Sequence, residues 1–329
     1  MNFRALVTER DDAGVISSTV RQLEEAALPP GDVTVDIAWS GVNYKDGLCL
    51  TGGGGLVRAY PHVAGIDFSG TVRSSSDPRY QEGQLVVLTG WRVGEVHWGG
   101  FSQRARVKGD WLVPLPQGLS LRDAMVLGTA GLTAMLAINR LEAAGAVPGD
   151  GDVLVTGGAG GVGSHAISLL ARLGYSVTAL SGRPELESRL RQLGASAFLA
   201  RDLFVGEPDK PLESGRWAAA IDNVGGPILG KLLRQMRYGG VVASVGNAGG
   251  IALETNVLPF ILRAVTLVGI DSVMQHLDAR IAAWQRLANL FEPDLYSPLV
   301  EEIGLEALPD AAGRILAGQV GGRLIVRPA

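Results

Sequence analysis

Glycine spacing supplies the first chemistry in this chain. Gly158, Gly160 and Gly163, in Val153-Leu-Val-Thr-Gly-Gly-Ala-Gly-Gly-Val-Gly163, fit the pattern G-x-G-x-x-G. An apolar strand over 152–156 precedes the pattern and an amphipathic helix over 162–173 follows it. At such a turn a pyrophosphate can approach free N–H groups and the positive end of a helix dipole, provided no side chain blocks it. The candidate contacts are Gly158, Ala159, Gly160, Gly161 and Val162. A tight turn without a ligand has the same pattern, and the flanking strand and helix favour the ligand.

The end of the next strand selects the dinucleotide. NAD-binding units place an acidic residue there for the ribose 2′-hydroxyl. This chain instead reads Val177-Thr-Ala-Leu-Ser181-Gly182-Arg183, without Asp or Glu. Ser181 can hydrogen-bond a 2′-phosphate and Arg183 can hold it through two donors, so Ser181, Gly182 and Arg183 predict NADPH. Asn223 and Asn247 follow later strands and are candidate ribose or nicotinamide contacts, although Asn also suits an ordinary turn.

A second set of reactive groups lies earlier. Tyr44 and Lys45 are candidate proton donors, and Asp67 is a candidate orienting carboxylate. Asn43 with Asp46 three residues on equally reads as a helix cap, which leaves Lys45 a solvated first-turn residue. Motif chemistry alone leaves these readings open. His62, His97, His165 and His276 do not pair at ligand spacing with one another or with Cys49, so no metal site is expected. Without a Lewis acid, reduction of an activated double bond is favoured over alcohol oxidation.

The elements that must position these groups differ along the chain. The first third reads as strands punctuated by Gly and Pro, with Val33, Val35, Ile37 and Trp39 on one face of an alternating strand over 32–39. From a helix over 128–144 onward, apolar strands alternate with helices, including one over 184–193, as in a parallel sheet covered by helices. Mixed structure returns after 264, so a nucleotide-binding unit is inserted into a β-rich unit built from both termini.

Composition narrows the classes. The chain has 329 residues, with 29 Lys+Arg against 33 Asp+Glu, and the net charge of −4 argues against a general nucleic-acid binder. Hydrophobic residues at 47% support packed cores in about two domains. A single cysteine excludes an intrachain disulfide and suits a reducing compartment. The N-terminus lacks a signal-peptide pattern, and no uninterrupted apolar run reaches the roughly 18 residues of a membrane span. A cytoplasmic protein without membrane or nucleic-acid partners is expected.

The segments NYKD (43–46), GIDFSG (65–70), LTGW (88–91), HWGGFSQ (97–103), VKGDWLVPLP (107–116), GTAGLTAM (128–135), SGR (181–183), LPFILR (258–263) and GIDSVM (269–274) resemble, essentially end to end, a known group. It is the zinc-independent quinone-reductase branch of the medium-chain dehydrogenase/reductases, in its YhdH-type subgroup, which includes acrylyl-CoA reductases. The resemblance implies an α/β fold in which a Rossmann doubly wound sheet is inserted into a GroES-like β-rich catalytic domain, with borders at 1–123, 124–263 and 264–329. It implies NADPH, a homodimer, and Tyr44 beside the nicotinamide. Ser272, within 269–273, would flank the nicotinamide, and Arg323 would belong to the segment closing the cofactor cleft. Zinc-dependent relatives carry Cys where this chain has Asn43-Tyr44 and Gly-His-Glu at Gly65-Ile66-Asp67. The implied reaction is NADPH-dependent reduction of acrylyl-CoA to propionyl-CoA. Trp91, Trp98 and Tyr60 are then candidate pocket walls, and Arg58, Arg92, Arg104 and Lys108 candidate partners for coenzyme A phosphates. NADPH:quinone reduction is the alternative, and an NADPH-binding protein without turnover is a third reading.

Overall fold

The computed structural model describes residues 2–205 and 210–328. It divides into two units, one running to Thr129 and resuming at Ser272, the other spanning Ala130–Asp271. Both borders lie a few residues past the expected ones.

In the first unit, β1 (Asn2–Arg10) pairs antiparallel with β2 (Ile16–Glu24). A mostly antiparallel sheet contains β3 (Val33–Val42), β4 (Asp67–Ser75), β5 (Leu85–Thr89), β6 (Arg104–Val107) and β7 (Leu112–Pro114). The second unit holds β8 (Val153–Thr156), β9 (Val177–Ser181), β10 (Ala197–Ala200), β11 (Trp217–Asp222), β12 (Met236–Ser244) and β13 (Thr266–Gly269). The chain then returns to the first sheet with β14 (Val300–Ile303) and β15 (Arg323–Val326).

The alternation in β3 buries Val33, Val35 and Ile37 against Phe68, Val72, Val86 and Leu112. A register irregularity against β4 falls between Ile37 and Trp39. Trp39 is therefore only half-buried, under Arg327, and Ser40 takes the interior position. Such an irregularity turns the following side chains and re-aims the strand end. Here that end is the Ser40–Val42 stretch leading into α1 (Tyr44–Thr51).

The six strands of the second unit are all parallel, in the order β10-β9-β8-β11-β12-β13. This is the expected doubly wound arrangement. It reverses direction between β8 and β11, where ligands lie beyond the carboxyl ends of the strands. Two helices differ from expectation. The helix expected from 128 starts earlier, giving α2 (Leu121–Ala143), and Gly128 interrupts it with φ 50° and ψ −152°. By length and mean hydropathy α2 could cross a bilayer, although polar residues interrupt it, and 78% of its most apolar window is buried within the protein, as in a core helix. After α3 (Gly161–Arg172), the helix expected over 184–193 opens as a 3-10 turn, Pro184–Leu186, before α4 (Glu187–Gln192). The short α5 (Arg201–Val205) follows β10.

Candidate active site

The first cluster forms where β3 meets α1. Asn43 caps α1 through a capping box with Asp46, and the Asn43 N–H donates to Asp46 Oδ2 at 2.7 Å. Asp46 Oδ1 accepts from the Ile66 N–H at 2.8 Å. Asp67 is fully buried and accepts from the Gly41 N–H at 2.9 Å, the Thr129 N–H at 2.8 Å and Asn43 Nδ2 at 3.0 Å. Arg323 reaches the same corner, donating to Asn43 Oδ1 at 3.2 Å and to the carbonyls of Val126, Val42 and Met125. Gly128 makes room for this pairing, because a Cβ there would stand 2.6 Å from Asp67 Oδ2 and 2.8 Å from Arg323 Nη2.

Burial, with a smaller contribution from the Asp67 charge, pushes Asp46 up to about 7. Burial holds Arg323 below its usual range, while the charges of Asp67 and Asp46 pull it back. Tyr44, the first residue of α1, is 58% exposed. Among the described residues Asp67 makes no hydrogen bond with Tyr44; it accepts from Asn43, the cap residue that precedes Tyr44. The alternatives left open by the motif now separate. The cap is real, and the Lys45 ammonium is tied to the buried Glu95 at 3.1 Å, which leaves Tyr44 the more exposed of the two candidate proton donors. Cys49 is buried, which lifts its thiol to about 12 and removes it as a nucleophile.

A second structure in this unit was not legible from motifs. Arg280, on the helix Leu277–Leu290, is completely buried. It donates to the carbonyls of Thr89, Ser272, Val273 and Gln275 at 2.7–3.0 Å and lies 4.9 Å from the Trp91 ring. The Trp91 N–H donates to Val273 O at 2.8 Å. Trp91 and Arg92 both hold left-handed backbones, φ 56° and 58°, each costing on the order of 1–3 kcal/mol. One buried guanidinium therefore fastens the expected nicotinamide-side segment at Ser272 to the expected pocket wall at Trp91. The other wall candidates do not form comparable contacts. Trp98 donates weakly to Pro61 O at 3.3 Å, and Tyr60 is half-buried.

The expected phosphate cations part company. Arg104 is turned inward onto Asp36 at 2.9 Å and Glu25 at 2.8 Å, so it is structural. Lys108 lies 5.5 Å from the Trp111 ring, Arg92 stands 3.8 Å from Glu95, and Arg58 is exposed.

In the second unit the glycine turn joins β8 to α3, whose cap residue Gly160 has no side-chain cap. A Cβ at Gly163 would lie 2.3 Å from Gly157 O, so only glycine lets this helix end close on the strand. Gly158, Ala159, Gly160, Gly161 and Val162 thus form a backbone cradle at a helix N-terminus, and it fits a dinucleotide pyrophosphate. Beside it, Thr156 Oγ1 donates to the fully buried Asp222 at 2.6 Å, and the Gly225 N–H donates to the same carboxylate at 2.8 Å. Asn223 is tied to Thr156 O through Nδ2 at 2.7 Å, while its Oδ1 is buried without a partner, an acceptor left for a ligand. Asn247 is exposed after β12. At the end of β9 the Arg183 N–H donates to Ser181 Oγ at 3.1 Å, and Arg183 Nη2 donates to Ala159 O at 2.7 Å. That contact joins the expected 2′-phosphate turn to the glycine turn.

Comparison with known proteins places this geometry. Residues 29–117 match the alcohol dehydrogenase GroES-like domain, and residues 161–291 match the zinc-binding dehydrogenase domain. The chain is 54% identical to the acrylyl-CoA reductase AcuI of Ruegeria pomeroyi over 98% of both sequences. It superposes on the yhdH oxidoreductase of Salmonella enterica, solved in complex with NADP, with TM-score 0.96 and 52% identity over all of both chains. It superposes equally, at 45% identity over all of both chains, on Bacillus subtilis yhfP, solved with NAD bound. Among the described residues no three His, Cys, Asp or Glu side chains gather as ligands.

Proposed function

This chain belongs to the medium-chain dehydrogenase/reductase family, and from that premise we propose that it reduces the activated C=C bond of a small enoyl thioester, of the acrylyl-CoA type, with NADPH and without a metal. The observation that carries the reading is the near end-to-end likeness to the Ruegeria acrylyl-CoA reductase. The chain's own residues support the cofactor half. Because relatives have been solved with NADP and with NAD, the preference is read from the end of β9, where Ser181 and Arg183 stand in place of an acid.

NADPH, when bound, supplies the hydride that the β-carbon of the thioester accepts. The cradle from Gly158 to Val162 holds the pyrophosphate, Ser181, Gly182 and Arg183 hold the 2′-phosphate, and Asn223, Asn247 and Ser272 serve the ribose and nicotinamide. Tyr44, or a water it holds, delivers the proton to the α-carbon. Asp67, Asn43 and Arg323 position the start of α1 that carries Tyr44, so Arg323 serves the site from beneath. Trp91 walls the acyl pocket and is held there by Arg280.

We extend the reading to a cytoplasmic homodimer. Ile261 and Leu262 on the helix Leu258–Arg263, and Val257 at its cap, are exposed, the helix leading into the sheet's outer strand β13, and a second copy would cover them.

Steady-state NADPH oxidation with acrylyl-CoA and with small quinones tests the reaction. The thioester should have the higher kcat/KM, and faster quinone turnover rejects the assignment. Tyr44→Phe should lower kcat about tenfold with NADPH affinity unchanged. An unaltered kcat removes Tyr44 from the chemistry.

A further inference from the structure

We propose that the second unit holds a further binding site, at the amino ends of β8, β11 and β12, for a small monocarboxylate on an apolar body, with Arg237 as its anchor. The inference goes beyond the reading above and does not rest on it. The glycine cradle follows the carboxyl end of β8, so this site lies at the other end of the same strand.

A cavity of about 300 Å³ opens there. Its floor is one rung of the sheet, Val153, Ala219 and Val241, which are register partners and buried. Its rim is made by a break in the ladder. Met236 pairs with Trp217 and Val241 with Ala219, so five steps along β12 answer two along β11. The residues between, 237–240, run out of register with β11, and Gly239 takes a left-handed φ of 72°. Such irregularities re-aim side chains and recur beside binding sites. This one sets Arg237 and Tyr238, both exposed, on the lining of the cavity.

The Arg237 guanidinium is held ready. Its Nη1 donates to Asp150 O at 2.7 Å. Gly151, with φ 144°, is what admits it, since a Cβ there would stand 2.4 Å from that nitrogen. No carboxylate pairs with Arg237 among the described residues, so most of its five donors are left for another acceptor. A planar fork fixed at one nitrogen presents the rest at a set angle, which suits the two oxygens of a carboxylate.

The rest of the lining asks for an apolar body. Tyr238 is 81% exposed and Val147 50%, an aromatic and an aliphatic group that such a body would cover. A ring can lie on the Tyr238 face while its carboxylate meets Arg237. A void of about 150 Å³ is enough for benzene, so this one admits a ring with a substituent. Asp150 is the other charged residue of the lining and has no ion-pair partner among the described residues. A second negative charge on the ligand would be opposed by it, which favours a monoanion.

Calorimetric titration of the full chain with benzoate, benzyl alcohol and phthalate tests the site and needs no turnover. Benzoate should bind with a Kd of about 1 mM or lower. Benzyl alcohol keeps the ring without the charge and phthalate adds a second charge, and each should bind about tenfold more weakly. Arg237→Gln should weaken benzoate about tenfold, Arg237→Lys should recover part of the loss, and Tyr238→Ala should weaken benzoate about threefold. A benzoate isotherm that does not saturate by about 10 mM overturns the inference, as does a benzoate affinity unchanged in Arg237→Gln. Benzyl alcohol binding as tightly as benzoate overturns the carboxylate, and phthalate binding as tightly overturns the monoanion. Should Arg237→Gln not fold, Tyr238→Ala decides alone, since that side chain is exposed, and an unchanged benzoate affinity there overturns the site.

Discussion

Buried charge is handled in opposite ways in the two units. Where β3 meets α1, Asp46, Asp67 and Arg323 are sealed from solvent, and carboxylates and guanidinium answer one another through Asn43 and backbone groups. Around the end of β9, Arg183 follows Ser181, Arg201 lies against Gly182, and in the helix that follows a buried nitrogen of Arg189 has no partner among the described residues. The first cluster is complete as folded and bears on stability. The second holds a buried nitrogen left unsatisfied, and on the proposed reading it bears on binding. A charged cluster can therefore be sorted as scaffold or site by whether its buried polar atoms are already satisfied.

Three substitutions test that contrast, in falling order of effect. Arg323→Ala strips the buried carboxylates of their cation and should cost about 3–5 kcal/mol in urea unfolding. A loss below about 1 kcal/mol would move this cluster out of the scaffold class. Arg183→Ala should behave inversely, with Tm nearly unchanged, NADPH binding weaker by about 2 kcal/mol (roughly thirty-fold), and NADH binding little altered. Equal losses for both cofactors would remove the distinction between the two clusters.

The smallest effect concerns pH. Burial raises Asp46 from 3.8 to about 7, so the folded chain keeps a proton that the unfolded chain releases. Stability from this group is fully present below pH 3.8 and is lost as pH rises towards about 7, with no further change above. His62 and His97, both lowered by burial, tilt stability the other way near their ordinary value but are common to wild type and variant. Asp46→Asn imitates the protonated form, so its stability relative to wild type should rise between about pH 5 and pH 8, read from urea midpoints. A pH-independent difference would mean that Asp46 is not the proton holder.

Much of the second unit was legible in sequence because each strand is a short apolar run followed by an amphipathic helix, and the glycine turn marks the first crossover. The first unit was harder. β2 has an exposed, largely polar surface and only β1 for a partner, so its alternation carries little hydrophobic signal. Trp39 continued the period of β3 on paper, but the irregularity after Ile37 took it off the buried face. Arg104 resembled a free surface cation because its partner is fixed by strand pairing, which sets it directly across from Asp36. Arg201 escaped notice for the same reason, being eighteen positions from Arg183 in sequence and next to Gly182 only through the β9–β10 register. Motifs report local spacing, and these contacts are made by registers between strands.

The turn at the end of β9 has a practical corollary. On the proposed NADPH reading the Ser181–Arg183 turn takes a phosphoryl group, and it would not distinguish a coenzyme's from one dissolved in the medium, so inorganic phosphate or sulfate in an assay mixture should compete with the nucleotide. Apparent Michaelis constants measured in such salts describe a displacement, and those measured in chloride with a zwitterionic buffer describe a docking.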